Sequence, residues 1–162
     1  MLAAGASTRY GGVKQHELLP AVLAALRDTS VDEVVVVAGA HPLAVDARVV
    51  QCPDWERGPG ASLRCGLDAL GDDAEAAVVV LGDGPNLSPA AVDRVIAAWR
   101  AGAGPVVAAT YGGTRLHPVL LARAVWSRVP DEGARGLDAV LVPCDDLGPP
   151  GDVDFADQVP WS

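Results

Sequence analysis

A run of small residues near the start of the chain ends in a cation. The run begins at Gly5, contains Arg9 and finishes at Lys14. Glycine lets successive backbone N–H groups converge on an anion, and two cations neutralise charge that amides alone cannot. The run is neither a Walker loop nor a clean G-x-G-x-x-G motif. It therefore indicates a phosphate-binding loop of another kind, with an ordinary glycine-rich turn as the alternative.

Lys14 is the only lysine in the chain, because eleven of the twelve basic residues are arginines. An arginine serves equally well for general surface charge, whereas a compact ammonium on a flexible stem suits phosphate oxygens in a tight site. Chance is the alternative explanation. The residue type thus favours a role for Lys14 at the phosphates.

A carboxylate follows an apolar run in the middle of the chain. Val78–Leu81 leads into Gly82, Asp83, Gly84 and Pro85. Ligands of open α/β sheets collect beyond the carboxyl ends of the strands, where a carboxylate can bind Mg²⁺ against phosphate oxygens. Asp83 is accordingly a candidate metal ligand, and a simple turn former is the alternative.

Apolar runs alternate with segments of helical period, which predicts an α/β fold with a mainly parallel sheet in three layers. We expect one domain over residues 1–162. The predicted strands are Met1–Ala3, Glu33–Ala38, Arg48–Cys52, Ala76–Leu81, Val106–Thr110 and Ala139–Val142. The predicted helices are Leu18–Arg27, Ser62–Leu70, Pro89–Ala101 and Leu120–Val129, with Ser62 and Ser88 as helix caps.

Composition narrows the classes of partner. The formal net charge of −9 disfavours nucleic acid and anionic membranes, and no local basic patch offsets it. The apolar runs are shorter than the roughly 18 residues of a membrane span. The three cysteines lack the spacing of a metal site. We therefore expect a cytoplasmic protein that binds neither nucleic acid nor membrane.

The N-terminal motif resembles the signature of the sugar-nucleotide-type nucleotidyltransferases, in particular the molybdenum cofactor guanylyl- and cytidylyltransferase-like family. The positions that match are Leu2, Ala3, Ala4, Gly5, Ser7, Arg9, Gly11 and Lys14. The resemblance implies a Rossmann-like nucleotide-diphospho-sugar transferase fold whose loop binds the triphosphate. It also implies that Arg9 and Lys14 are catalytic and stabilise charge during attack on the α-phosphorus.

Two acidic positions are similar to the family's metal ligands. Asp83 lies in a segment that looks like the D-x-P motif, and Asp154 lies in the C-terminal segment from Asp152 to Asp157. Phe155 replaces the usual Thr of that segment, and we favour Asp154 over Asp152. The resemblance implies Mg²⁺ on Asp83 and Asp154, whereas an exposed acidic tail is the alternative for Asp154.

Two further segments are similar to binding regions of the family. Gly60, Ser62 and Gly66 match the loop and helix start beside the base and ribose, and we expect free N–H donors at that helix start. His117 and Arg135 match segments on the acceptor side. A structural turn role is the more common one for a histidine before proline.

The resemblance implies transfer of CMP or GMP from CTP or GTP to a phosphorylated acceptor such as molybdopterin, with release of pyrophosphate. An NAD(P)-linked oxidoreductase is one alternative, although no G-x-G-x-x-G follows the first strand. A non-catalytic nucleotide- or cofactor-binding module is another. It draws support from two departures from the family pattern, a short first strand and a missing P-L-x-G-x-P-L-L connection after Lys14.

Overall fold

The computed structural model describes residues 1–6 and 14–152. Within them the chain forms a mostly parallel sheet with helices on both faces. The strands are β1 (Leu2–Ala3), β2 (Val35–Ala38), β3 (Arg48–Gln51), β4 (Ala76–Val79), β5 (Val106–Tyr111), β6 (Thr114–Ala122) and β7 (Val140–Pro143). The α-helices are α1 (Lys14–Arg27), α2 (Pro59–Asp68) and α3 (Pro89–Arg100). No helix in the described ranges is long and apolar enough to cross a membrane.

The strand order places β1 between two halves of the sheet. One half has the order β1-β2-β3 and the other β4-β6-β5-β7. The Leu2 N–H donates to the Val80 carbonyl at 2.9 Å, and the Gly82 N–H donates to the Leu2 carbonyl at 2.9 Å, which joins β1 to the end of β4. Only β6 runs antiparallel to its neighbours among the described strands. The chain order therefore reverses between β1 and β4, and the crevice beyond these two strands is the topological switch point.

The core occupies both faces of the sheet. Val107 packs with α1 and α3 on one face, whereas its neighbour Val106 packs with α2 on the other. Successive side chains of a strand point to opposite faces, so a strand buried on both sides becomes continuously apolar. Every residue of β2 and β5 is buried, as this arrangement requires. The predicted three-layer α/β fold is confirmed.

Most predicted elements lie within a few residues of the observed ones, and β3, β4, β5 and α3 begin at the predicted residue. Helix α1 begins at Lys14 rather than Leu18, and it buries Leu18 and Leu19 completely. It contains Pro20, which has no N–H to donate to the helix. Helix α3 begins at Pro89 after Ser88, as predicted, although the Ser88 side chain makes no cap hydrogen bond.

One predicted helix is wrong. Leu120–Val129 contains the end of strand β6 and then a 3₁₀ helix, Arg123–Arg128. Leu120 and Leu121 are both buried, one on each face of the sheet. A strand between two helical layers buries consecutive residues, and such a short apolar run cannot be distinguished from a buried helix by its period.

A cavity of about 930 Å³ lies at the amino edge of the sheet, between the starts of β2 and β4. Ser30, Glu33 and Glu75 are among its lining residues. Ligands of this fold class bind at the opposite, carboxyl edge. The fold therefore predicts a functional site beyond the carboxyl ends of β1 and β4.

We predict that Leu120→Ala and Leu121→Ala each lower the free energy of unfolding by about 2–5 kcal/mol, because each leaves a cavity on a different face of the sheet. Urea denaturation gives the values. Leu141→Ala is the matched control, since Leu141 is 52% exposed and surface changes cost about 0.5 kcal/mol or less. Costs for Leu120→Ala and Leu121→Ala no larger than the control's would contradict the burial of both faces.

Candidate active site

The loop after β1 starts from a tightly packed base. A Cβ on Gly39 would lie 2.5 Å from the Ala4 carbonyl oxygen, so only glycine fits beneath the loop. The Gln15 side chain donates to the Gly5 carbonyl at 2.7 Å, and His41 Nε2 lies 3.1 Å from the Ala6 carbonyl oxygen. These contacts fix the last residues before the predicted phosphate-binding segment. Ser7, Arg9 and Gly11 lie outside the described residues, and their roles stay predictions.

The structure brings Lys14 and Asp83 together. Lys14 Nζ lies 2.9 Å from Asp83 Oδ2, although 69 positions separate the two residues in the chain. The Lys14 side chain is 12% exposed and that of Asp83 is 28% exposed. The crevice at the switch point thus contains an ion pair that is shielded from solvent more than a surface pair.

Close packing at Gly82 creates this proximity. A Cβ on Gly82 would lie 2.7 Å from Leu19 Cδ2 of α1 and 3.1 Å from the Ala3 Cβ of β1. A side chain at this position would push the turn away from both elements. Because Gly82 has no side chain, the turn lies close enough to α1 for Asp83 to reach Lys14, the first residue of that helix.

The C-terminal segment reaches the same turn. The Asn86 N–H donates to the Pro150 carbonyl at 3.0 Å, and a Cβ on Gly84 would lie 3.2 Å from that oxygen. Asp152 follows two residues after Pro150. Asp154 lies outside the described residues, so its role as a metal ligand stays a prediction.

Helix α2 differs from the predicted one in how it begins. The residue preceding the helix is Gly58, whose φ of 113° lies in the region that favours glycine, and Ser62 is buried inside the helix. The prediction that Ser62 caps the helix is therefore wrong. The Gly60 N–H donates to the Asp131 carbonyl at 2.9 Å, so it is not a free donor for a nucleotide.

Two glycines of α2 permit close approach instead. A Cβ on Gly60 would overlap the Pro130 carbonyl oxygen, and one on Gly66 would lie 2.7 Å from Val37 Cγ2 of β2. The first contact joins α2 to the segment before the 3₁₀ helix Gly133–Gly136, and the second seats α2 on the sheet. Both glycines thus have a packing role, and their contact with a nucleotide stays a prediction.

Two arginines fix the segment that bears Arg135. Arg115 donates to the carbonyls of Ala134 and Leu137 at 2.8 and 2.7 Å. Arg64 donates to the Val129 carbonyl and to the Asp131 carboxylate, each at 2.8 Å. The exposed side chain of Arg135 therefore projects from an anchored segment.

His117 lies among three charges at this edge of the sheet. The pKa of His117 is lowered to about 4, chiefly by burial and then by the charge of Arg135, while Asp83 opposes this shift and Arg115 adds to it. The imidazole is thus neutral at pH 7. His117 thus lies close enough to both Arg135 and Asp83 for their charges to change its pKa.

The sequence analysis missed Gln15, His41, Arg64 and Arg115. Each acts on a backbone carbonyl that only the folded chain brings near, and no local motif marks such a partner. Arg115 alone stands near a recognised motif, two residues before His117. The strand that contains both residues was not predicted, so this signal was not used.

A parallel sheet with a loop, a cation and a carboxylate at its switch point defines a class of α/β proteins that bind nucleotides. Residues 1–146 match the family described as the MobA-like NTP transferase domain, and the chain belongs to this family. The resemblance of the N-terminal motif to nucleotidyltransferases is confirmed. Among curated proteins, none matches the chain by sequence.

Solved structures share the fold. A homologue of Mycobacterium tuberculosis Rv0371c from Mycobacterium sp. strain JC1 is 26% identical, with a TM-score of 0.78 over 97% of this chain and 89% of that one. A manganese complex of Rv0371c itself is 23% identical, with a TM-score of 0.65 over 88% and 85% of the two chains. A molybdopterin-guanine dinucleotide biosynthesis protein A from Archaeoglobus fulgidus is 14% identical, with a TM-score of 0.61 over 90% and 83%.

The lowered pKa of His117 predicts a pH dependence of stability. The unfolded histidine binds a proton near pH 6.5 and the folded one near pH 4. Between these values protonation favours the unfolded chain, so stability falls as the pH is lowered from about 6.5 towards 4. We expect His117→Gln to lose less stability than the wild type between pH 7 and pH 5 in urea denaturation. Equal losses in the two proteins would contradict the lowered pKa.

Proposed function

We propose that the protein transfers CMP or GMP from CTP or GTP to a phosphorylated acceptor such as molybdopterin and releases pyrophosphate. The observation that carries the proposal is the Lys14–Asp83 pair at the switch point, 2.9 Å between Nζ and Oδ2. A metal–triphosphate complex needs a cation for its phosphates and a carboxylate for its metal. This pair supplies one of each, at the end of the segment that resembles a triphosphate loop.

Asp83 fits a divalent cation. Its carboxylate is partly exposed at the carboxyl edge and already accepts a cation, the Lys14 ammonium. Mg²⁺ is commonly bound through one or two carboxylates together with substrate phosphates. In the proposal Asp83 and Asp154 bind Mg²⁺, which when bound neutralises and orients the phosphates. The manganese complex described for Rv0371c supports a divalent cation in this fold.

The proposed reaction needs no side-chain base. An oxygen of the acceptor phosphate attacks the α-phosphorus, the bond from that phosphorus to the bridging oxygen breaks, and its electron pair leaves with pyrophosphate. The attacking oxygen is already anionic at pH 7, whereas His117 is a weak base with a pKa of about 4. His117 therefore suits hydrogen bonding to a substrate, and Arg9 and Lys14 stabilise the developing charge.

The remaining predicted residues divide between nucleotide and acceptor. In the proposal, the predicted nucleotide-binding residues Gly60, Ser62 and Gly66 of helix α2 contact the base and ribose, and the predicted nucleotide-binding residues from Leu2 to Gly11 bind the phosphates. The Arg135 guanidinium is exposed on an anchored segment, and a guanidinium can bind an acceptor phosphate through two parallel hydrogen bonds. Membership of an NTP transferase family favours this reaction over an NAD(P)-linked oxidoreductase.

Melting temperatures test nucleotide binding and base preference. A nucleotide that binds only the folded chain adds about 2.7 kcal/mol of stability at a hundredfold excess over its Kd. We expect the melting temperature to rise with the concentration of Mg–CTP or of Mg–GTP, and more for the true substrate. No shift with either nucleotide or with ATP would remove the support for triphosphate binding.

We predict that Lys14→Ala lowers the rate of pyrophosphate release by about a hundredfold or more, because it removes a cation from the transition state. The matched control is Arg27→Ala, which removes a cation from the last turn of the same helix, where Arg27 pairs with Asp46 at 2.8 Å. We expect the control to keep wild-type activity. Wild-type turnover of Lys14→Ala, with melting unchanged, would exclude Lys14 from the reaction.

A further inference from the structure

We propose that Lys14 makes the site specific for the metal–nucleotide complex rather than for the free metal. In the nucleotide-free protein the Lys14 ammonium pairs with the Asp83 carboxylate. When a triphosphate binds, the ammonium moves to its phosphates, and Asp83 becomes available to a divalent cation. This inference rests on the proposed function of the same site.

The geometry makes the two cations competitors. Lys14 Nζ lies 2.9 Å from Asp83 Oδ2, whereas Mg²⁺ binds oxygen at about 2.0–2.1 Å. If both shared this oxygen, they could lie at most about 5 Å apart. With both side chains largely shielded from solvent, that repulsion is only weakly screened. A free divalent cation must therefore displace the ammonium, which lowers its affinity for Asp83.

A triphosphate offers the ammonium another partner. Lys14 is the first residue of α1 and the last residue of the predicted phosphate-binding segment. The helix itself is fixed, because Leu18 and Leu19 are fully buried and Gln15 binds the Gly5 carbonyl. The flexible stem of lysine lets the ammonium move to phosphate oxygens while the helix stays in place. Movement of one side chain thus changes the charge that Asp83 presents.

Linkage then requires metal and nucleotide to strengthen each other's binding. The electron paramagnetic resonance signal of aqueous Mn²⁺ reports the bound fraction of metal, independently of any activity. Without nucleotide, we expect Lys14→Met to bind Mn²⁺ about tenfold more tightly than the wild type, because a competing charge is gone. Arg27→Met is the matched control, with the same change in net charge on the same helix, and we expect it to bind Mn²⁺ like the wild type.

Asp83→Asn in the Lys14→Met background should abolish the gain in Mn²⁺ affinity, which assigns it to this carboxylate. Lys14→Gln repeats the comparison if Lys14→Met does not give the native circular dichroism spectrum. Equal Mn²⁺ affinity of the wild type and the folded Lys14 variant, in the absence of nucleotide, overturns the inference. So does an equal gain in Arg27→Met.

The wild-type protein provides a second measurement. Because Lys14 is the only lysine, ¹³C-labelled lysine gives a spectrum with one set of side-chain signals. We expect CTP or GTP, added with a chelator, to shift the Lys14 Cε signal, as Asp83→Asn does without nucleotide. If nucleotide raises the melting temperature but leaves this signal unchanged, Lys14 does not move and only the inference fails. If no nucleotide binds at all, the proposed function fails with it.

Discussion

The central position of β1 determines where the chemistry of this chain can occur. Leu2 bonds through its N–H to Val80 and through its carbonyl to Gly82, while Val37 donates to the carbonyl of Met1 on the other side at 2.9 Å. These few backbone bonds join the parallel strands β1, β2 and β3 to the mixed half of the sheet. They also bring the loop after β1 against the turn after β4. The pairing of β1 with the end of β4 is therefore what brings Lys14 and Asp83 close together.

Two glycines determine how closely the segments around the site pack against β1, α1 and α2. Gly82 brings the turn after β4 against β1 and α1, and Gly60 brings α2 against the segment that leads to Arg135. Neither role follows from a free N–H donor, and at Gly60 the N–H is already bound to Asp131. The missing side chain of each glycine lets two segments pack closely. Substitution at either glycine would therefore move a whole segment rather than remove one contact.

The sequence predicted the layers of the fold because a sheet covered on both faces needs continuous apolar strands, and β2 and β5 have them. It could not predict β6. Pro118 lies in that strand, where a proline normally argues against a central position. The structure accommodates it where the register of β5 and β6 shifts, between Ala108 and Thr110. Lys14 and Asp83 were predicted from their residue types and positions, and His117 from the resemblance to the family. The arginines that anchor the segment around Arg135 were missed, since their carbonyl partners are far away in the chain.

Net charge and site charge have different consequences in this protein. A formal charge of −9 opposes the approach of an anionic nucleotide in general. That long-range field is screened over about 8 Å at physiological ionic strength, so the groups within the crevice decide binding. There the Lys14 ammonium is already neutralised by Asp83, and Arg135, which lowers the pKa of His117, forms no ion pair within the described part of the chain. In the mechanism we propose, a divalent cation that arrives with the nucleotide reverses this balance, because it pairs with Asp83 and leaves the ammonium to the phosphates. On this proposal, the carboxylate that pairs with the lysine in the free protein is also the reason that metal and triphosphate bind together.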